Sequence, residues 1–467
     1  MDQNNKPALA VGDPDVTFGL NGIVRLDNPS NPAAILRSDT LAVDPTTDIA
    51  QRIYVGATGG SEAVGVCYVV RLLANGQLDI SFGQGGYLLA PTGDPERHGT
   101  IQQVTGLVFA ASGEITCFGR MLGYTPYGLR IIPVAFRITA AGVIDTRFGV
   151  KGLAIYDSLP PPKAGVAREE FIHPGQDERE QAIQSWRRLV QEGKVSDLSP
   201  RARRVDGKIL FLAKLEGWLP EWRTPTYLAR INTDGSLDTT FGQAGLVLLT
   251  DPTTEPPESV DGWSLDIDRQ GGAIVVGDLK PLNTAVGVVI RYDSQGRLDQ
   301  EFGRSGIVHL YAGEEPAITS ARSVKALEDG KSIIQAALLP DGTIGGAEIP
   351  LIIKLLRNGE RDPDFNEGKP AQVDFSPSPY LVKTLNIDDA GRIVISGYKL
   401  TGAAPDIAGG ISRFVPRGMP DEKFGVGGTR IYSNFELFFN QVVIQSRVNI
   451  LVAIQGYSDS AIARFIG

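Results

Sequence analysis

The sequence is poor in the residues from which most reactive centres are built. Its 467 residues include only two cysteines, three histidines and four tryptophans. Cys67 and Cys117 cannot form a disulfide framework, and both fall in predicted strands. Two alternatives stay open for them: buried free thiols, or a disulfide between adjacent units. The histidines His98, His173 and His309 stand far apart, so none has the spacing of a metal-binding pair.

Targeting and membrane signals are also missing. No apolar run approaches the ~20 residues that a membrane-spanning helix needs. The first residues, Met1–Lys6, are polar and lack the basic start and apolar centre of a secretory signal. We therefore expect no membrane insertion and a cytoplasmic location, with export without a cleaved signal as the alternative. The net charge of −9 argues against a nucleic-acid partner, which requires a basic face.

An internal repeat of about sixty residues dominates the chain. Its core reads Asp-x-x-Phe-Gly and is followed by a second glycine four residues after the phenylalanine. The copies end at Phe18, Phe82, Phe148, Phe241, Phe302, Phe424 and, in altered form, Phe365. At Phe365 the first glycine is replaced by Asn366, which tolerates left-handed backbone angles better than most residues. The pattern predicts a tight corner between strands, closed by a buried ring.

A basic residue stands eight places before the aspartate of the corner. The pairs are Arg71 with Asp79, Arg137 with Asp145, Arg230 with Asp238, Arg291 with Asp299, Lys354 with Asp362 and Arg413 with Asp421. We expect a charge-assisted hydrogen bond in each pair. A feature that every repeat shares belongs to the scaffold, because stacked units must present the same face to each neighbour. No catalytic residue is predicted from it.

Each repeat also contains a hairpin signal, such as Asp329-Gly330 or Ser112-Gly113 between apolar runs. One strand after the corner, two in the hairpin and one before the next corner give four strands per unit. The last strand, Ser460–Ile466, lacks a following corner, whereas Asp15–Phe18 is a corner without a preceding strand. These features predict an all-β fold, a seven-bladed β-propeller over 13–467 with a loose leader over 1–12, closed by pairing of its N- and C-terminal strands.

The full corner motif, Gly-x-Leu-Asp-x-x-Phe-Gly-x-x-Gly, resembles the bacterial delta-sixty repeat family. The copies at Gly76–Gly86, Gly235–Gly245 and Gly296–Gly306 carry this resemblance. It implies a propeller-like repeat protein, of a kind often exported by bacteria, and it brings no catalytic residue with it.

One segment, 157–203, interrupts the repeat. It opens with three prolines, and Asp177 with Glu180 forms a capping box in front of an apolar stripe at helical spacing. The sequence therefore predicts a helical insertion. It either packs on the ring without a further role or acts as a lid or partner-docking element.

The aromatic residues near this insertion are the candidate binding residues. They are Trp186, Trp218, Trp222, Tyr227 and Trp263. Such a group forms a stacking platform for a sugar or peptide, or it covers the inserted helix. Asp266 and Asp268 are weak candidates for a calcium site, although no full loop signature accompanies them; no other cofactor is predicted.

The interpretation that follows is a non-catalytic, monomeric binding scaffold that recognises a protein or glycan through loops of one propeller face. The alternative is a hydrolase or lyase with its active site at the propeller axis, with or without a bound metal. No catalytic motif in the sequence favours the alternative. A nucleophile elbow of the form Gly-x-Ser-x-Gly between strand and helix is missing.

Overall fold

The computed structural model describes most of the chain. The described residues are 10–45, 51–59, 66–93, 98–125, 128–159, 202–205, 207–214, 216–217, 225–279, 286–310, 319–339, 348–373, 380–400, 407–432, 438–446, 449–455 and 460–467. The helix expected within 157–203 lies outside these residues except at its ends, so the structure does not confirm it. Among the described residues, helical structure suited to spanning a bilayer is not found.

The strands form seven antiparallel sheets that are the blades of a β-propeller. The chain begins with β1 (Ile23–Val24) and a small hairpin of β2 (Asp27–Asn28) and β3 (Asn31–Ile35). Blade 1 contains β4 (Arg37–Val43), β5 (Ile53–Gly59), β6 (Val66–Leu72) and β7 (Tyr87–Leu89). Blade 2 contains β8 (His98–Phe109), β9 (Ile115–Thr125), β10 (Gly128–Ile138) and β11 (Leu153–Ile155). Blade 3 contains β12 (Ala202–Val205), β13 (Lys208–Lys214), β15 (Thr226–Ile231) and β16 (Leu246–Leu248), while β14 (Glu216–Gly217) pairs with β10.

The remaining blades repeat this plan. Blade 4 contains β18 (Glu258–Ile267), β19 (Ala273–Leu279), β20 (Val286–Tyr292) and β21 (Ile307–His309), with β17 (Thr250–Asp251) added beside β18. Blade 5 contains β22 (Thr319–Ala326), β23 (Ser332–Leu338), β24 (Ile349–Leu355) and β25 (Ala371–Gln372). Blade 6 contains β26 (Tyr380–Ile387), β27 (Ile393–Leu400), β28 (Ile407–Phe414) and β29 (Thr429–Tyr432). Blade 7 contains β30 (Phe438–Gln445), β31 (Asn449–Gln455), β32 (Ser460–Ile466) and β1.

The predicted closure is confirmed, because β1 pairs with β32 across the two ends of the chain. The N-terminal corner docks on β32 as every internal corner docks on its own strand: the Asp15 amide donates to the Arg464 carbonyl at 2.8 Å. Gly12, assigned by sequence to the leader, donates to the Ile466 carbonyl at 2.7 Å and lies against the Phe424 ring. Gly12 therefore takes part in the contacts that close the ring.

The corner motif holds each blade to the next, as blade 3 shows. Asp238 accepts a 2.6 Å hydrogen bond from Nε of Arg230, whose guanidinium carbon lies 4.5 Å from the centre of the Phe241 ring. Nη1 of Arg230 donates to the carbonyl of Ser294 in blade 4 at 2.5 Å. A Cβ on Gly296 of blade 4 would lie 2.9 Å from the Phe241 ring, so only glycine fits there. The phenylalanine therefore packs against the turn of the following blade.

The other corners follow this pattern with three variations. In one of them Asp362 lies 3.4 Å from its predicted partner Lys354 and accepts a closer bond, at 3.0 Å, from Lys331. All seven phenylalanines are at most 2 % exposed. At the altered corner Phe365 is followed by a short 3₁₀ helix, Asn366–Gly368, and the Asn366 amide still donates to the next blade. Arg291 reaches the predicted partner Asp299 at 3.2 Å but bonds more closely, at 2.7 Å, to Asp268.

The innermost strand of each blade is its first one, so these strands surround the axis. They are β4, β8, β12, β18, β22, β26 and β30, and each contacts the next around the closed ring. The hydrophobic cores lie between neighbouring blades, as where Ile334 of blade 5 packs with Val276 of blade 4. Neighbouring blades therefore cover the faces of each sheet, and the innermost strands surround the axis.

Candidate functional site

Six of the seven innermost strands contain a β-bulge at a corresponding place. A bulge inserts one unpaired residue, bends the strand and redirects a side chain. The inserted residues are Asp39, Thr105, Trp263, Arg322, Lys383 and Asn440. Trp263, Arg322 and Lys383 are partly exposed at these positions, whereas Asp39, Thr105 and Asn440 are buried.

The bulges also provide hydrogen bonds between neighbouring blades. The backbone amide of the residue before the bulge has no acceptor within its own sheet. The preceding blade supplies an acceptor. Ala321 donates to Asp278 at 2.9 Å, Gly262 to the Thr226 hydroxyl at 3.1 Å and Ser38 to the Ser460 hydroxyl at 2.9 Å. A buried backbone amide needs such a partner.

The interface of blades 4 and 5 has a fully buried carboxylate as its acceptor, as does the interface of blades 1 and 2, where the Val104 amide bonds to Asp39. Asp278, on β19, is 1 % exposed. Besides the Ala321 amide it accepts hydrogen bonds of 2.8 Å from the Ser320 hydroxyl and from Nε1 of Trp263. Burial raises the pKa of Asp278 to about 6, although Arg322 and these three donors act in the opposite direction.

Two cations flank the indole of Trp263. Nζ of Lys214 lies 5.9 Å from the ring centre and Cζ of Arg322 lies 6.0 Å from it, both within the range of cation–π attraction. Each cation also has an acidic partner: Lys214 bonds to Asp261 at 2.7 Å, and Arg322 bonds to Glu348 at 3.0 Å. We call Lys214, Asp261, Trp263, Asp278, Arg322 and Glu348 the axial cluster.

The axial cluster lies on the propeller face opposite the corners. Because the strands are antiparallel, a first strand begins on the same face on which a second strand ends and a third begins. Trp263 lies near the middle of β18 and Arg322 in the first half of β22, Lys214 ends β13, and Glu348 directly precedes β24. The hairpins and corners, in contrast, lie on the other face. Trp263 is partly exposed, so the cluster is accessible at one mouth of the channel.

The predicted binding residues separate into three groups. Trp263 belongs to the axial cluster. Tyr227 lies in β15 and is buried in the core between blades 2 and 3, so its assignment as a binding residue is corrected. Trp186, Trp218 and Trp222 lie outside the described residues. The hypothesis that the five aromatic residues form one platform is therefore untested for Trp186, Trp218 and Trp222.

The two candidate calcium ligands have separate partners. Asp266 accepts from Nε of Arg203 at 2.7 Å and from the Ala326 amide at 3.1 Å. Asp268 accepts from Arg291 and from the amides of its own hairpin, including Gly272 at 2.8 Å. In the described part of the chain, no three His, Cys, Asp or Glu side chains are grouped as a metal site would require.

Sequence reasoning missed most of the axial cluster. Lys214, Asp261, Asp278, Arg322 and Glu348 come from three blades and share no motif. The one available signal was Asp278, a charged residue that follows the apolar run Ala273–Gly277 in a predicted strand. Aspartate in such a place is rarely buried without dedicated partners.

Two cavities lie between blades 2 and 3. The smaller, of about 30 Å³, has Lys214 of the axial cluster in its wall together with Arg120 and Thr105. The larger, of about 200 Å³, lies on the corner face and is lined by Glu114, Arg137 and Asn232 among others. It adjoins Gly207, which directly precedes β13.

Comparison with known proteins supports the fold. Residues 222–241 match the family described as "Domain of unknown function (DUF5122) beta-propeller". This short match covers the corner of blade 3. It does not test the resemblance to the delta-sixty repeat family. No curated protein matches the chain.

Similar solved structures share little sequence with the chain. Polysaccharide lyase Uly1 is 11 % identical over 92 % of this chain and 90 % of its own, with a TM-score of 0.46. The β-propeller domain of the Trilobed protease from Pyrococcus furiosus is 8 % identical over 92 % and 94 %, with a TM-score of 0.42. A putative glycosidase from Bacteroides thetaiotaomicron is 12 % identical over 57 % and 86 %, with a TM-score of 0.34. Identities this low carry no information about activity.

Proposed function

We propose that this propeller is a non-catalytic binding module that holds a saccharide chain at the mouth of its channel, against Trp263. The observation that carries the proposal is the fixed indole. Its N–H is bonded to the buried Asp278, so the ring orientation is set before a ligand arrives. A rigid aromatic side chain loses little entropy on binding and offers a large apolar surface.

The charged members of the axial cluster supply the polar part of such a site. Lys214 and Arg322 are donors, whereas Asp261 and Glu348 are acceptors, and all four lie within hydrogen-bonding distance of one another in pairs. Sugar hydroxyls can both donate and accept, so they can engage either member of each pair. A few polar groups around an apolar surface are typical of small-ligand sites.

A glycan array tests this function, followed by titration of each bound glycan. Trp263→Ala is expected to weaken binding at least about 30-fold, as for a central aromatic contact. Trp263→Phe keeps the ring and should retain more of the affinity. Arg322→Ala should also weaken binding, whereas Arg297→Ala serves as its control, because Arg297 pairs with Asp293 on the corner face.

The array also discriminates between partners. If no glycan binds, or if Trp263→Ala binds as well as the unmodified protein, the saccharide proposal is wrong. Capture of a peptide in a Trp263-dependent manner would assign the same surface to a protein partner.

A hydrolase or lyase at the same mouth is the second candidate, and Asp278 is the observation that favours it. With a pKa near 6 its carboxyl group can exchange a proton close to neutral pH, as acid–base groups do. Incubation with neutral and uronic-acid polysaccharides, followed by detection of new reducing ends and of unsaturated products, tests this activity. Activity that survives in Asp278→Asn would exclude Asp278 as the group responsible.

A further inference from the structure

Three innermost strands carry charged side chains nearer the corner face than the axial cluster. Asp266 and Lys325 each lie three residues beyond the bulge residue of their strand, Trp263 on β18 and Arg322 on β22. Arg203 lies on β12 of the preceding blade. Blades 3, 4 and 5 therefore contribute a guanidinium, a carboxylate and an ammonium in succession.

The carboxylate of Asp266 already has partners at both oxygens. Oδ1 accepts from Nε of Arg203 at 2.7 Å, and Oδ2 accepts from the Ala326 amide at 3.1 Å. Both members of the Arg203–Asp266 pair are partly shielded, with side chains 22 % and 14 % exposed. This arrangement fixes the Asp266 carboxylate. Arg203 is its main countercharge, and Lys325 is only a secondary one.

Lys325 differs from the other two in having no close partner in the described part of the chain. Among the residues that the structure describes, its ammonium makes neither a hydrogen bond nor an ion pair, and Asp266 acts on it only at longer range. The side chain is half-buried beside the channel. The three charged groups together carry one net positive charge, and an ammonium offers three hydrogen-bond donors.

A half-buried ammonium loses part of its hydration, which is energetically unfavourable. Burial and, after it, the nearby Arg203 lower the pKa of Lys325 to about 8, while Asp266 opposes them. A negative group placed next to the ammonium would replace the lost hydration and satisfy its donors. A bound anion would therefore stabilise the Lys325 ammonium more than water does.

We infer that Lys325 anchors an anion-binding site within the channel, with Arg203 as its second cation and a small carboxylate or phosphate group as its ligand. The anion is either free or the charged end of a larger ligand held at the mouth. The site needs only the Arg203–Asp266–Lys325 arrangement, so it stands even if no saccharide binds at Trp263.

The variants give opposite effects if an anion binds. Lys325→Gln removes the anchor and should weaken binding of phosphate and acetate about tenfold or more, the value of a charge-assisted hydrogen bond. Asp266→Asn keeps the shape but removes the opposing negative charge, so it should tighten anion binding roughly threefold or more. Lys151→Gln, at an exposed lysine on a corner, is the control and should change nothing.

The measurement uses the full-length protein whose lysines carry ¹³C-methyl groups introduced by reductive methylation. The Lys325 signal is identified by its loss in Lys325→Arg. Its titration midpoint should lie near 8 and rise by about one unit when inorganic phosphate or acetate saturates the site at constant ionic strength. A response to phosphate alone supports a doubly charged ligand, and a response to both supports a general oxyanion site.

Two results would overturn the inference. One is a Lys325 midpoint that neither anion moves. The other is equal anion affinity in Lys325→Gln and in the unmodified protein, with thermal denaturation showing that the variant is folded. If the charge of Lys325 served only the fold, both results would be expected. Asp266→Asn would then bind anions no more tightly than the unmodified protein.

Discussion

Arg464 and Asp15 are 449 residues apart in the chain and form a 2.8 Å ion pair that closes the ring. The pair has the geometry of the internal pairs Arg71–Asp79 and Arg413–Asp421, both also at 2.8 Å. Arg464 additionally donates to the Ala74 carbonyl of blade 1 at 2.5 Å. The contact that joins the two ends is therefore one of the repeat contacts, made between segments that the chain order separates.

Breaking this pair should destabilise the whole propeller. In Asp15→Asn the buried Arg464 loses its countercharge, which costs about 3 kcal/mol of unfolding free energy. Urea denaturation measures the change. Asp293→Asn, in the exposed pair with Arg297, is the control and should cost less than about 1 kcal/mol. Equal losses in the two variants would contradict a special role for the closure.

The turn glycines should differ according to what lies beside them. Gly207 and Gly235 both have positive φ, +79° and +87°, so alanine at either place costs about 1 kcal/mol from the backbone alone. A Cβ on Gly235 would also lie 2.9 Å from the Phe148 ring, whereas nothing lies within 4 Å of one on Gly207. Gly235→Ala should therefore lose roughly 1–3 kcal/mol more than Gly207→Ala. Thermal or urea denaturation that gives equal losses would show that the ring contact is unimportant.

Asp278 predicts a pH dependence of stability. Its pKa is raised from the ordinary 3.8 to about 6, so between these values the folded protein holds a proton that the unfolded chain has released. The unfolding free energy should then fall as pH rises from 4 to 6, by roughly 2–3 kcal/mol from this group. Denaturation of the unmodified protein and of Asp278→Asn at several pH values isolates the contribution. The variant should lack it, and parallel curves would refute the assignment.

The two cysteines should be unreactive in the folded protein. Cys67 and Cys117 are free and at most 2 % exposed, and burial raises the pKa of both thiols. A disulfide reagent such as DTNB at pH 8 should modify them at least about 100-fold more slowly than in urea, where two thiols should react. Fewer than two reactive thiols in the unfolded, unreduced protein would indicate the disulfide instead.

The repeat made the scaffold predictable because its residues act locally. Arg230, Asp238 and Phe241 lie within twelve positions of one another and bond or stack in the structure as their spacing indicated. The closing strand Ser460–Ile466 was predictable for the same reason, since it repeats the strand that precedes each corner. Because the pattern occurs seven times, it can be recognised even where one copy departs from it at single positions.

The axial cluster could not be predicted in the same way. Trp263 and Arg322 point toward the channel because each is the extra residue of a bulge, and no residue pattern marks a bulge in advance. Tyr227 was misassigned because strands inside a blade are covered on both faces. In such a strand the alternation of buried and exposed residues disappears.

The order of synthesis gives the closure a kinetic consequence. The ribosome makes β1 before the strands β2–β31 and β32 after them, although β1 and β32 belong to one sheet. Until β32 emerges, the nascent chain has blades that can fold in turn, while Phe18 at the first corner lacks the strand on which its corner docks. Chaperones that recognise exposed apolar surface therefore have a target until β32 is synthesised, and the emergence of β32 is the event that allows the ring to close.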